Sequence, residues 1–382
     1  MLPVVPPVEE YTVPRHFYPL AAGIFAFMLL LGIAFPSANE ARAQAAQPVA
    51  RQAEEYLFCF WNLENLFDDK DDKRNNIDES YDDPFARDAK LRDLKYDHIA
   101  SALLKMNGGK GPDVIALAEV ESVRAADLLQ QELNKKLKAA KQDDKLQYKF
   151  LAMRNLDAGR HISTAIISRV NVALPSIKML GRQQRILETQ LFVNGHVMTI
   201  ISSHWTSQLK QSDGSNGVSG REKYATVIYE HFRTATKKNP EVDYLVCGDF
   251  NDTPESGPLK MLGALGDKNL VKPLVDKDQP FLNLMAGKDP AKFGTIWYGG
   301  KPLIYDHVCV SAGLLDTKGW SVDPASVKTE TDGLIRKGAT RREPWRFGNP
   351  DKTTRPEERG YSDHFPVTVK IRVAAPEIKP KQ

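Results

Sequence analysis

Cysteine is nearly absent from this chain: three in 382 residues, Cys59, Cys247 and Cys309, with no two close together. An odd, dispersed set of thiols argues against a disulfide framework and against a thiolate zinc site. Each lies in an apolar, strand-like run, so all three read as small buried hydrophobes. A large charge of one sign is missing as well. Lys and Arg number 52 against 49 Asp and Glu, a net charge of +3, which permits a polyanionic partner without demanding one. Residues 55–373 carry no internal repeat or low-complexity tract, so a single domain is the simplest division. Long uncharged apolar runs are limited to one, YPLAAGIFAFMLLLGIAF from Tyr18 to Phe35.

That run follows Arg15-His16 and precedes Ala41-Arg42-Ala43, a small-x-small pattern. It reads as a signal peptide over 1–43, with an uncleaved inner-membrane anchor as the alternative because the run nearly reaches spanning length. Either way the expectation is export, to the periplasm or beyond the cell. Residues 44–54 read as a linker, 55–373 as the domain and 374–382 as a tail.

Within the domain, short apolar runs alternate with helical periodicities. YLFCFWN, DVIALAEV, STAIISR, DYLVCGDF and FPVTVKIRV read as strands, and ILETQLFV and HVMTIISSHW flank Asn194-Gly195, a strong hairpin signal. Residues 86–106, 125–137 and 219–236 carry helical spacing. The acidic stretch DDKDDKRNNIDESYDDP reads as a solvated loop. The fold class expected is α/β, with two mixed sheets packed face to face and helices outside.

The strands end in polar residues that simple turns do not require. The stretch LVCGDFNDTPES runs from an apolar strand into Gly248, Asp249, Asn251 and Asp252. Asn62 and Glu64, Glu119, His204, Asp306, and then Asp363-His364 stand at comparable places. Gathered at one rim, the carboxylates repel unless a cation sits among them. Oxygen donors without thiolate favour Mg²⁺, Mn²⁺ or Ca²⁺. Acids, two imidazoles and a divalent cation suit attack of water on a phosphate ester.

The motifs FWNLENLF, ALAEVES, SSHWTS, VCGDFNDTP, YDHVCVS and YSDHFPV, in this order from about Tyr56 to Val373, resemble those of the endonuclease/exonuclease/phosphatase superfamily. The WNLENLFD opening looks most like its secreted bacterial nucleases. The resemblance implies a four-layer α/β sandwich and a divalent cation, Mg²⁺ or else Mn²⁺ or Ca²⁺. It makes Glu119 the main metal ligand, with Asn62 and Glu64 completing the metal site and Asp363 touching the metal or its water. Many members have Asp where Glu64 stands. Asp249 would orient or deprotonate the water, Asn251 donate to a phosphoryl oxygen, Asp306 hold the imidazole of His364 against the phosphate, and His204 serve the leaving oxygen. Glu121 reads as a solvated or loop-anchoring acid on the strand face of Glu119, and His307 as facing away from catalysis.

Nucleic acid is the expected substrate and partner, met by Arg160, by Arg221 and by the basic run that contains Arg341 and Arg342. A phosphomonoesterase or sphingomyelinase-like phospholipase is the alternative, lowered by the lack of any obvious aromatic hairpin. A surface binding protein that lost its chemistry is the third reading.

Overall fold

The computed structural model describes residues 53–376, except 75–77, 157–158, 210–213, 276 and 352. The leader and anchor expectations over 1–43 lie outside the described residues. Among the described residues no helix is long and apolar enough to cross a membrane.

The strands are β1 (Glu54–Leu66), β2 (Val114–Val120), β3 (Phe150–Met153), β4 (Ser163–Ser168), β5 (Lys178–Met179), β6 (Ile186–Val193), β7 (His196–His204), β8 (Tyr244–Asp249), β9 (Ala264–Leu265), β10 (Phe281–Asn283), β11 (Ile296–Tyr298), β12 (Lys301–Leu303), β13 (Asp306–Val310), β14 (Trp320–Val322), β15 (Lys328–Thr329) and β16 (Val367–Val373). One mixed sheet has the order β14-β16-β1-β2-β4-β3, with β15 also on β16. The other runs β5-β6-β7-β8-β13-β10-β9, and β11 pairs with β12 alone.

Side-chain alternation sorts these strands into layers. Phe58 and Phe60 of β1, Val114 and Ala116 of β2, and Ile200, Cys247 and Val308 from the other sheet meet in one central core. The intervening residues Cys59, Trp61, Ile115 and Leu117 point the other way, onto helices α2 (Ala89–Gly109) and α3 (Val123–Ala139), which follow the short α1 (Glu79–Arg87). Helix α4 (Val218–Lys238) covers the outer face of the second sheet through Ile228 and Phe232, against Ile201, Val246 and Cys309. The result is helices, sheet, sheet, helix. The three cysteines are free and buried.

Local chemistry fixes the joints. Ser122 caps α3 by accepting from Ala125 N. Asn194 and Gly195 both take left-handed backbone at φ 55° and 88°, closing the hairpin with Val193 opposite His196. The acidic stretch after β1 is only in part the solvated loop expected of it, with Lys70, Asp72 and Lys73 exposed. Asp68, Asp78 and Asp82 are buried, and Asp82 accepts the backbone N–H groups of Asp72 and Arg74 at 3.1 and 2.9 Å. Buried amides need acceptors, and this segment supplies them from its own acids.

Glu121 anchors that segment by accepting from Asp68 N at 2.8 Å, with Arg74 3.2 Å away. Burial pushes its pKa up to about 8. The folded chain therefore retains a proton that the unfolded chain releases above about pH 4.5, so this group's contribution falls as pH rises toward 8. In urea denaturation, wild type should lose on the order of 4 kcal/mol relative to Glu121→Gln between pH 5 and pH 8.5. An unchanged difference between the two proteins would refute the proton's presence.

Candidate active site

Strand direction gathers the polar ends. The parallel pairs β1–β2 and β7–β8 finish at one rim, where the antiparallel β13 and β16 begin. Register then sets the row: His204 lies opposite Asp249, and Asp249 opposite Asp306. These three sit on adjacent strands, on the face that carries Ile200, Cys247 and Val308 into the central core. The site is thus the open end of the space between the sheets.

Two buried hydrogen bonds cross that space. His364, just before β16, meets Asp306 through Nδ1···Oδ2 at 2.7 Å. Asn62 of β1 donates to Asp249 Oδ2 at 3.0 Å and to Glu119 Oε1 at 3.3 Å. Ser362 locks the junction, donating to Asn62 O at 2.6 Å and accepting from His364 N at 3.1 Å. Asp249 Oδ2 is also 3.6 Å from His204 Nε2 and 3.8 Å from His364 Nε2.

Backbone irregularity aims the acids. Between Asn62 and Leu66, β1 advances four residues while β2 advances two, and a further register shift against β4 lies between Leu117 and Val120. Glu64, Asn65 and Glu119 take positive φ of 51°, 65° and 59°, costly conformations for such residues. Regular alternation would send Glu119 toward the helices with Leu117; the bulge turns it to the cleft. Its Oε2 accepts Asn65 N at 3.0 Å. Glu121 does not share that face as expected but stays in the buried loop anchor.

Gly248 is required by crowding. A Cβ there would lie 2.0 Å from Ser203 O, so the close approach of β7 to β8 needs glycine. Beyond it Asn251, at φ 51°, donates from its side chain to Trp205 O at 3.3 Å, and its N–H closes on Asp249 Oδ1 at 2.9 Å.

Electrostatics separate the imidazoles. Burial holds His204 well below the ordinary histidine value, aided by Arg185 and Arg160. Burial also opposes charge on His364, but Asp306 and Asp249 outweigh it and raise the group well above that value. Burial raises Asp249, with His364 only partly compensating. The centre therefore holds a neutral His204, an imidazolium at His364 and a basic carboxylate between them.

The donors fit a hard divalent cation. Asp249, Asp306 and His364 bring ligand atoms within 4.8 Å of one another, but an imidazolium has no lone pair to give, so a cation falls to the carboxylates, among which Asp306 Oδ1 is buried without a hydrogen-bond partner. Glu119 and Asp363 are only partly covered at the cleft floor. Glu64, expected in the metal set, has both of its oxygens engaged by residues 346–348.

An open cleft of about 900 Å³ lies over this floor. Arg160, Arg185, Arg336 and Arg346 line it, with Trp297, Tyr298 and Trp345 among the walls. Arg160 is steered by Asp78 and Asn65. The other expected substrate cations are placed elsewhere. Arg221 is buried, its Nε 2.8 Å from Asp252, which makes it a structural ion pair. Arg341 lies over Trp297, and Arg342 over Phe365 with a bond to Gly294 O; neither is among the cleft-lining residues. His307 bonds Asn283 and Asp252 O away from the site.

Arg185 was not anticipated, since GRQQR matches no motif. The β11–β12 hairpin was missed too, although Gly299-Gly300, with φ 58° and 80°, is its turn signal. It presents Trp297 and Tyr298 and is tied to the centre by a bridge between Ile296 and His364.

A sandwich of this kind, with acids and imidazoles at the strand ends, belongs to the phosphoesterase hydrolases. The model of the endonuclease/exonuclease/phosphatase family matches residues 57–373, and the chain belongs to that family, whose wider superfamily is typically dependent on divalent metal. No curated protein matches the sequence. Similar solved structures include truncated Caenorhabditis elegans TDP2, at 15% identity and TM-score 0.46, covering 84% of this chain and 98% of that one. Sphingomyelinase C from Streptomyces griseocarneus is 14% identical with TM-score 0.49, covering 84% and 99%. A Bacteroides thetaiotaomicron family protein is 13% identical with TM-score 0.47, covering 86% and 100%.

Two outcomes test this geometry. Gly248→Ala should cost about 1–3 kcal/mol in urea denaturation because the β7–β8 contact must open; unchanged stability would contradict the clash. The pH–rate profile should be bell-shaped, rising as Asp249 ionises and falling as His364 loses its proton. Asp306→Asn removes the charge that favours the imidazolium, so the alkaline limb should move about 1–3 units lower. A limb that stays put would assign that ionisation to another group.

Proposed function

We propose that this chain is an exported, metal-dependent phosphodiesterase that hydrolyses nucleic acid by attack of water on phosphorus. The observation that carries the reading is the combination of the His204–Asp249–Asp306–His364 floor with an open cleft walled by arginines and aromatic rings. Arginines suit successive phosphates, and aromatic faces suit unpaired bases.

Asp249 takes the proton of the attacking water, and its raised pKa suits a base. The imidazolium of His364, held by Asp306, faces the charge that grows on the phosphoryl oxygens. Asn251 keeps a second amide hydrogen to donate to the same group, and Nε2–H of neutral His204 serves the leaving oxygen. A divalent cation held by Glu119, with Asp363 and Asn62 beside it, supplies Lewis-acid polarisation when bound. Export rests on the apolar leader and nothing else in the chain.

A second reading, a sphingomyelinase-like phospholipase, draws on the β11–β12 hairpin, where Tyr298 is 42% exposed at the cleft rim. The experiment separates the two. Chain lacking residues 1–43 is offered supercoiled plasmid, single-stranded RNA, sphingomyelin and a soluble phosphomonoester, with Mg²⁺, Mn²⁺, Ca²⁺ or EDTA. Nicking of plasmid or cutting of RNA should require metal and fall by about 10³-fold in His364→Ala. Turnover of lipid or monoester alone would replace nucleic acid as the substrate.

A further inference from the structure

Glu64 stands in the expected metal set, yet its surroundings assign it another task. Its carboxylate accepts Arg346 Nε at 2.7 Å on one oxygen, and the N–H groups of Phe347 and Gly348 at 3.0 and 3.3 Å on the other. A carboxylate offers about four lone-pair positions, so three are committed to one segment. A divalent ion on the first oxygen would also sit against the guanidinium, like charge beside like charge.

The segment that Glu64 grips is built to stay still. Gly348 takes φ 78°, a left-handed conformation that glycine accepts without strain. Phe347 is buried beneath the ammonium of Lys95, 4.8 Å from its ring, with Arg359 5.1 Å away. Arg359, itself buried, donates to the carbonyls of Phe347, Asn349 and Asp351 at 3.1, 2.8 and 2.7 Å. Gly360 N donates to Arg346 O at 2.8 Å. The Arg346 side chain is 61% exposed and lines the cleft, with Nη2 3.4 Å from Asp363. A guanidinium fixed at Nε keeps its outer N–H groups for a tetrahedral anion, with less entropy to lose on binding.

We propose that Glu64 is a positioning residue rather than a metal ligand, and that Arg346, which it holds, binds a non-bridging oxygen of the substrate phosphate. The inference rests on the phosphoester reading above but not on nucleic acid as the substrate.

The test uses the full chain with two readouts. Mn²⁺ affinity is measured by calorimetry, and kcat and KM with saturating Mg²⁺ on bis(p-nitrophenyl) phosphate, for wild type, Glu64→Gln, Arg346→Lys, Arg346→Gln and the double variant Glu64→Gln/Arg346→Gln. Mn²⁺ binding by Glu64→Gln should weaken by no more than about threefold, where loss of a ligand, or of a partner that orients one, costs tenfold or more. Arg346→Gln should lower kcat by about 10²-fold, Arg346→Lys less, and the double variant should be no worse than the poorer single one. Tenfold weaker Mn²⁺ binding in Glu64→Gln would restore it as a ligand, and unchanged kcat and KM in Arg346→Gln would remove the arginine. If Glu64→Gln fails to melt cooperatively, the two exposed Arg346 variants decide the matter through kcat and KM. Wild type active on the small diester but inert on DNA and RNA would sink the nucleic-acid substrate and leave this proposal standing. Wild type inert on every phosphoester with every metal would overturn the arginine's role, and Mn²⁺ affinity would then decide that of Glu64.

Discussion

Everything at the rim depends on two buried hydrogen bonds between the sheets, Asp306 to His364 and Asn62 to Asp249. Four carboxylates, Glu119, Asp249, Asp306 and Asp363, and two imidazoles lie close together there, and a charge removed from water must find a partner or be neutralised. Asp306 meets that demand with an imidazolium, and Asp249 with the Asn62 amide and a pKa that burial raises. Breaking either link leaves an uncompensated charge in the space between two packed sheets. The same links set the distance from β1 to β8, so the register of each sheet and the chemistry between them form one constraint.

The irregular features follow from it. Glu119 reaches the centre only because β2 bulges, and Gly248 exists because β7 and β8 run too close for a Cβ. Positive φ at Glu64, Asn65, Glu119 and Asn251 concentrates strain at the strand ends that build the site. Such strain persists where the surrounding structure over-determines it, as the hydrogen bonds to Glu119 and Glu64 do here.

Much of this was legible in the sequence because it is local. The apolar runs YLFCFWN and DVIALAEV read directly as strands, and GDFN and SDH marked two of the strand ends. What escaped depends on long-range register. No run of letters announces that β2 bulges before Glu119, and plain alternation points that side chain at the helices. Arg221 reads like a free cation until Asp252 is found beside it in the fold. The basic run near Trp345 reads as a substrate surface, yet Arg341 and Arg342 lie against aromatic rings while Arg336 reaches the cleft wall and Arg346 is brought over the acids. Glu64 sits two residues from Asn62 in sequence, but its partners are nearly three hundred residues away.

The most direct test is the titration of the His364 imidazole, followed by NMR in ¹⁵N-histidine-labelled protein with His364→Gln to assign the signal. The expected result is an imidazolium that persists well above the ordinary histidine pKa of about 6.5, and loses that shift in Asp306→Asn. A His364 that titrates at or below that value in wild type would contradict the charge pairing on which the centre is built.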